Sequence, residues 1–244
     1  MRLLWVMPTV SVVWAAPATA PALVHLLDDV EQARLGRLRN ADDRARFVAA
    51  HALLRIMVGR EVGWAPERVV LTFTCPRCSA PHGPPQLVDR AREPVLHLSL
   101  AHAGRRVLVA VSTAGPVGVD VDVEGATAFP GFDDVALAPT ERSTIARLPL
   151  GGRAAARVTA WVRKEAVLKA TGDGLNVPPG DVVVSALGEP PRLLAWDGAP
   201  ATPVHLHDVD VAARGHAACV AVVSTLEPEF LVGSADELLG GDVG

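Results

Sequence analysis

The chain has 244 residues, half of them apolar and a fifth charged, with a formal net charge of −4. That composition belongs to a globular protein with room for one large domain or two of about 120 residues, each able to bury a core. The acidic balance argues against non-specific nucleic-acid binding. Three cysteines are too few for a disulfide framework, and no apolar run approaches the roughly 18 residues of a membrane span. These readings point to a cytoplasmic protein that binds neither nucleic acid nor membrane, although arginine clusters can still serve a small anionic ligand.

The first residues, Met1 to Pro17, carry one charge, an apolar stretch and small residues, loosely the order of a signal peptide. Pro8 interrupts that stretch, and Val10 to Trp14 reads equally well as a buried first strand. Asp28 to Asn40 is polar and basic, with Arg34, Arg37 and Arg39. A helix is expected from Asp42 to Arg60, where Phe47, Leu54 and Val58 recur at helical spacing, and Trp64-Ala-Pro marks its end. Val69 to Phe73 reads as a strand, and Cys75 to Pro85 as a loop rich in proline and glycine. Within that loop Cys75-Pro-Arg-Cys78 with His82 looks like half a zinc site. A structural zinc needs four ligands and no second cysteine pair exists, so a plain turn with reduced thiols is the better reading. Leu96 to Leu100 and Val107 to Ser112 are expected to be strands turned at Ala103-Gly104.

The second half repeats the plan. A helix is expected from Arg157 to Ala170, closed by Gly172-Asp-Gly, with strands at Val182 to Val184, Val204 to Leu206 and Cys219 to Ser224. Val107-Leu-Val-Ala-Val-Ser112 finds an echo in Cys219-Val-Ala-Val-Val-Ser224, and His97-Leu-Ser in His205-Leu-His. The pattern predicts an α+β fold of two similar α/β halves, residues 1–115 and 116–244, related by a pseudo-twofold with a ligand cleft between them. Such a chain would be a monomer that is its own pseudo-dimer. The acidic, glycine-containing stretch 227–244 reads as a flexible tail.

Gly118-Val-Asp-Val-Asp-Val-Glu124 alternates strictly, so on a strand Asp120, Asp122 and Glu124 would share one face. Like charges at that spacing repel unless solvent or a cation compensates. The strand is either a solvated acidic edge or part of a site for a hard cation such as Mg²⁺, which takes a few carboxylates and completes its shell with water and phosphate oxygens. Glu165 could add a third carboxylate. Glu141, in Pro139-Thr-Glu-Arg142, is equally readable as a base or as a glutamate at a helix start. The only two lysines of the chain, Lys164 and Lys169, stand close together in Trp161-Val-Arg-Lys-Glu-Ala-Val-Leu-Lys169. Glu165 and Lys169 are four apart, so a helix puts them on one face, where they form either an ordinary exposed pair or a compact positive charge for a phosphate. Lys164 points to another side, towards a salt bridge or a partner protein.

Gly118-Val-Asp-Val-Asp122 followed by Trp161-x-x-Lys-Glu-Ala-x-x-Lys169 resembles the paired signature of the Sfp-type 4′-phosphopantetheinyl transferases. Arg46-Phe-x-x-Ala-His-Ala-Leu-Leu-Arg55, Pro81-His-Gly-Pro-Pro85 and Leu98-Ser-Leu-Ala-His102 resemble N-terminal elements of the same family. The resemblance implies an Mg²⁺-dependent transferase that moves the phosphopantetheine arm of coenzyme A onto a serine of an acyl- or peptidyl-carrier protein. By that match Asp120, Asp122 and Glu165 would hold the metal, and Glu141 or Glu165 would deprotonate the serine. Lys169 would sit on the pyrophosphate, and Arg46 and His102 would grip phosphates, with Arg34 or Arg37 as further candidates. His82, Gly83 and Pro84 would border the adenine. Two departures stand out: the family often has lysine where this chain has Pro84, and serine where it has Ala101, and both changes are expected to raise the KM for coenzyme A. A metal-dependent nucleotide-sugar transferase and a non-catalytic coenzyme A or carrier-binding protein are the rival readings.

Overall fold

The structure, a computed structural model, describes residues 7–75, 78–80, 83–88 and 95–240, with only the backbone course given for 18–21, 175 and 240. His82 lies outside the described residues. The strands are β1 Thr9–Ala15, β2 Leu71–Thr72, β3 Gln86–Leu87, β4 His97–Ala103, β5 Arg106–Ser112, β6 Val117–Val123, β7 Val183–Val184, β8 Leu193–Ala195, β9 Val204–Asp208, β10 His216–Val223 and β11 Glu229–Ser234. The helices are α1 Asp29–Arg37, α2 Ala41–Val62, α3 Phe132–Ala136, α4 Pro139–Ala146, α5 Leu150–Thr171 and α6 Ala235–Gly240, with short 3₁₀ turns between them. Among the described residues no helix is long and apolar enough to cross a membrane.

Two sheets carry the architecture, a mixed one of four strands and an antiparallel one of three. One has the order β11-β1-β5-β4 and the other β6-β10-β9, each with a long helix on its outer face. The side chains of β1, β4 and β5 that face away from the second sheet pack with α2, in a core containing Leu98, Val107, Val109, Leu54 and Val58. The second sheet packs likewise on α5 through Cys219 and Ala221 against Val162, Ala166 and Leu168. The inner faces of the two sheets meet in a third core of small and β-branched residues, Val10, Val12, Leu108, Ala110, Val119, Val121 and Val220. Period-two alternation allows this, because each strand has a residue set for each face. At the junction β4 runs beside β6, where the Val119 amide donates to Ser99 Oγ at 3.0 Å.

Both long helices stop where sequence chemistry predicts. Asn40 Oδ1 accepts from the Asp42 amide at 2.7 Å to open α2, and Gly63 and Gly172, both left-handed, close α2 and α5. One unassigned stretch takes a definite form and two expectations are corrected. The basic stretch 28–40 is mostly helix: Asp28 and Glu31 form a reciprocal capping box that starts α1. Glu124 does not extend the strand but begins a 3₁₀ turn. The chain does not fray after Glu227 within the described residues, since β11 pairs in parallel with β1 from Thr9↔Glu229 to Trp14↔Ser234, and Ala235 is buried beyond it. Parallel pairing of the two ends leaves no local trace in the sequence, which is why the stretch read as a tail.

Candidate active site

The acidic strand and the Glu–Lys helix meet because β6 and α5 approach main chain to main chain. A Cβ on Gly118 would come within 2.2 Å of Ala166 O and 2.7 Å of Lys169 Cβ, so only glycine allows that approach. Asp120 follows on the same face of β6 and is buried. Lys169 Nζ donates to Asp120 Oδ1 at 2.6 Å and to Val119 O at 3.0 Å. Burial pushes the Asp120 carboxyl up, while Lys169 draws it down and Asp122 adds to the rise. Asp122 is only half-buried, and its Oδ1 accepts from the Val123 amide.

Glu165 stands one turn before Lys169 on the same helix face. It is buried, and its Oε1 has no hydrogen-bond partner. Burial pushes Glu165 up to about 7, opposed by the Lys169 ammonium and reinforced by the charges of Asp120 and Asp122. The three carboxylates thus feel one another through a poorly hydrated space with one ammonium among them. Among the described residues no group of three His, Cys, Asp or Glu side chains is gathered tightly enough to chelate an ion as it stands. Lys169 takes one Asp120 oxygen, and Asp122 satisfies its own backbone. The unpaired Glu165 oxygen, the hard oxygen donors and the excess negative charge nevertheless suit Asp120, Asp122 and Glu165 to a divalent cation.

On the other side of the junction, His102 stands near the end of β4 on the face towards α2. Its side chain is exposed, yet partial loss of hydration, together with the positive charges of Arg46 and Lys169, holds it below the usual imidazole range. Arg46, on α2, donates from Nη1 to Gly104 O at 2.7 Å and pairs with Asp43 through Nη2. Arg46 and Lys169 thus both bear on His102, and Lys169 also bears on Asp120 and Glu165. Beside these groups, Pro84 to Leu87, Val95 to Leu98, Pro116, Val117 and Lys169 to Gly172 line a cavity of about 570 Å³. Gly83 is pinned nearby: its amide donates to Phe73 O at 2.6 Å, and a Cβ on it would come within 2.4 Å of Thr74 O.

The other candidates differ in their surroundings. Arg34 lies over the rings of Phe47 and Phe73, 5.4 and 5.8 Å from their centroids, and Arg37 is exposed at the end of α1. Ala101 is on the inner face of β4, its methyl in the apolar layer between the sheets, so the departure there removes no hydroxyl from the open face. Glu141 is committed in full. Its Oε2 accepts from the Ala138 amide at 2.8 Å and from Lys164 Nζ at 2.5 Å, and its Oε1 accepts from the Val184 amide at 2.9 Å. Lys164 is wholly buried and also donates to Ala136 O at 2.7 Å and Pro179 O at 3.0 Å. The salt-bridge reading of Lys164 therefore holds, and the carrier-contact reading does not. Gly118 and Ser99 escaped the sequence reading. A glycine in an otherwise alternating valine–aspartate strand was the available signal of close backbone approach.

A mixed α/β fold brings paired strand carboxylates, a buried Glu165 with the half-buried Lys169 one turn on, and cationic groups together beside a cavity, a set of charges compatible with a phosphorylated ligand. Residues 116–221 match the family model of the 4′-phosphopantetheinyl transferase superfamily. The chain is 30% identical over 172 residues to the 4′-phosphopantetheinyl transferase HetI of Nostoc sp., covering 66% of this chain and 68% of that protein. It is 31% identical over 170 residues to a protein of Synechocystis sp. named provisionally as a 4′-phosphopantetheinyl transferase, covering 67% of this chain and 65% of that one. The matched segments thus span about two thirds of each relative, 65% and 68%. The chain belongs to the 4′-phosphopantetheinyl transferase superfamily.

Proposed function

We propose that the protein transfers the 4′-phosphopantetheine arm of coenzyme A to a serine hydroxyl of an acyl- or peptidyl-carrier protein and releases 3′,5′-ADP. The two similar α/β halves, related by a pseudo-twofold, would each supply one part of the site. The observation that carries the reading is the buried, partnerless oxygen of Glu165 one turn from Lys169, at the junction that also gathers Arg46 and His102. Asp120, Asp122 and Glu165 would hold Mg²⁺, which when bound supplies positive charge to the diphosphate oxygens.

The remaining roles belong to the chain's own residues. A serine hydroxyl is a weak nucleophile until a base removes its proton. Glu165 is the base, directly or through water, because Glu141 has both oxygens engaged and Glu165 does not. The serine oxygen bonds to the β-phosphorus, the phosphorus–oxygen bond to the nucleotide breaks, and 3′,5′-ADP leaves with the electron pair. Lys169 neutralises the diphosphate, Arg46 and His102 hold a further phosphate, and the cavity beside Pro84 receives the nucleotide. The test is incubation with Mg²⁺, coenzyme A and several apo-carrier proteins, followed by intact-mass measurement of the carriers. A phosphopantetheine mass gain supports the reading, and none across the set overturns it; coenzyme A binding without transfer would identify a non-catalytic binder.

A further inference from the structure

The β4–β5 turn connects the two sides of the proposed site. Its tip, Gly104, has φ of +54° and gives its carbonyl to Arg46 Nη1 at 2.7 Å. His102 lies two residues before it. Beneath the tip, from the second sheet, stands His216, the first residue of β10. A Cβ on Gly104 would fall 2.6 Å from His216 Nε2 and 2.7 Å from Val123 Cγ1, so the tip rests directly on these two side chains. The Arg105 amide reaches His216 Nε2 at 3.3 Å, and His216 Nδ1 lies 3.2 Å from Arg214 O. An amide can only donate and a carbonyl can only accept, so the two contacts call on Nε2 as acceptor and Nδ1 as donor. In the ladder His216 pairs with Val123 and Ala217 with Asp122. One imidazole therefore touches the strand that bears Asp122 and the turn that anchors Arg46.

The same turn is clasped a second time. Arg106 donates from Nε to Val211 O at 2.5 Å and from Nη2 to Ala212 O at 2.7 Å, with its guanidinium 5.1 Å from the Trp14 ring centroid. Arg106 ties the turn to the loop before β10, whereas His216 sets its height above β6. We propose that His216 is a positioning residue: through Gly104 and Arg105 it fixes the phosphate-holding pair Arg46 and His102 relative to the carboxylates of β6. This rests on the proposed transfer from coenzyme A. His216 touches no reacting atom in it. Its removal should loosen the grip on coenzyme A and leave the chemical step intact.

The test compares wild type, His216→Leu and His216→Gln; the glutamine amide oxygen can occupy the acceptor position of Nε2. Coenzyme A binding is read by titration calorimetry, kcat at saturating coenzyme A by transfer to an apo-carrier, and exchange of the Arg105 amide by NMR. His216→Leu should weaken coenzyme A binding by about tenfold, in keeping with one lost hydrogen bond and a small misplacement. It should keep kcat within about twofold and lose protection of the Arg105 amide, and His216→Gln should restore both properties. If His216→Leu does not fold, His216→Phe, which keeps a ring but no acceptor, carries the same comparison. A wild type that binds coenzyme A alongside a leucine or phenylalanine variant that binds it equally well overturns this inference alone. So does an affinity loss that glutamine fails to repair. A wild type that binds no coenzyme A overturns the proposed function and this role together.

Discussion

Gly118 lies so close to Ala166 that any side chain on it would press a Cβ to 2.2 Å from the Ala166 carbonyl oxygen and 2.4 Å from Ala170 N. The contact is backbone on backbone, so no side chain can rotate away to relieve it. It sets the gap across which Lys169 reaches Asp120. Gly118→Ala should push α5 off β6, costing about 1–3 kcal/mol as overpacking does. It should also lower kcat/KM by up to about 100-fold, because displacement near an ångström is that expensive in a preorganised site. Chemical denaturation and steady-state transfer assays check both. An alanine variant equal to wild type in the two would show that α5 does not need this approach.

Glu165 should separate activity from stability. Its buried Oε1 has no partner, so the charged side chain is a burden on the free fold rather than a support. Glu165→Gln is expected to lower kcat by about 10²–10³-fold while leaving Tm in metal-free buffer unchanged or raised. Millimolar Mg²⁺ should raise the Tm of wild type and leave that of Glu165→Gln nearly unmoved. Equal Mg²⁺ stabilisation of the two proteins would remove Glu165 from the cation site.

Glu141 should behave in the opposite way. It joins α4 to α5 through Lys164 and to β7 through the Val184 amide, all of them buried. Removing one member of such a pair leaves an uncompensated buried charge, a loss of about 3–5 kcal/mol. Lys164→Met should therefore lower stability by that order, and Glu141→Gln by somewhat less because the amide can still accept from Val184. Assayed below its melting point, Glu141→Gln should keep activity within about tenfold of wild type, far above Glu165→Gln. A stable Glu141→Gln protein with activity as low as Glu165→Gln would return the role of base to Glu141.

Much of this arrangement is written in local periodicity. The alternation of Gly118 to Val123 puts the aspartates on one face and the valines on the other, and the structure buries the valines between the sheets. The four-residue spacing of Glu165 and Lys169 places both over β6. What escapes such reading is non-local or many-bodied. Ala101 and His102 are neighbours in the chain, yet the strand sends one into an apolar layer and the other to the site. Whether Glu141 is a base or a strut depends on Lys164, Ala138 and Val184 arriving together, and only the tertiary fold decides that. The capping box of Asp28 and Glu31 is legible as Asp-x-x-Glu, whereas the pairing of Glu31 with His51 and Arg55 on another helix is not.

Glu31 also anchors the acid response of the first core. Glu31 is buried, which by itself would raise its pKa, yet the bonds from His51 and Arg55 outweigh that cost and hold it at about 2. An unfolded glutamate titrates near 4.5, so between 4.5 and about 2 the unfolded chain binds more protons than the native one. Stability from Glu31 is therefore complete above that window and lost as pH falls through it, by an amount on the order of 3 kcal/mol. His51 acts in the same direction earlier. Burial holds its imidazole below the usual 6.5, so the unfolded chain takes up that proton first as pH falls. Urea unfolding at a series of pH values should show a decline that begins below about 6.5 and steepens below about 4.5. Glu31→Gln should be less stable than wild type at pH 7, since it leaves buried Arg55 with the half-exposed Asp28 as its remaining carboxylate partner, and should lose less between 4.5 and 2. If the variant's stability falls as steeply as that of wild type across that window, Glu31 is not the group responsible.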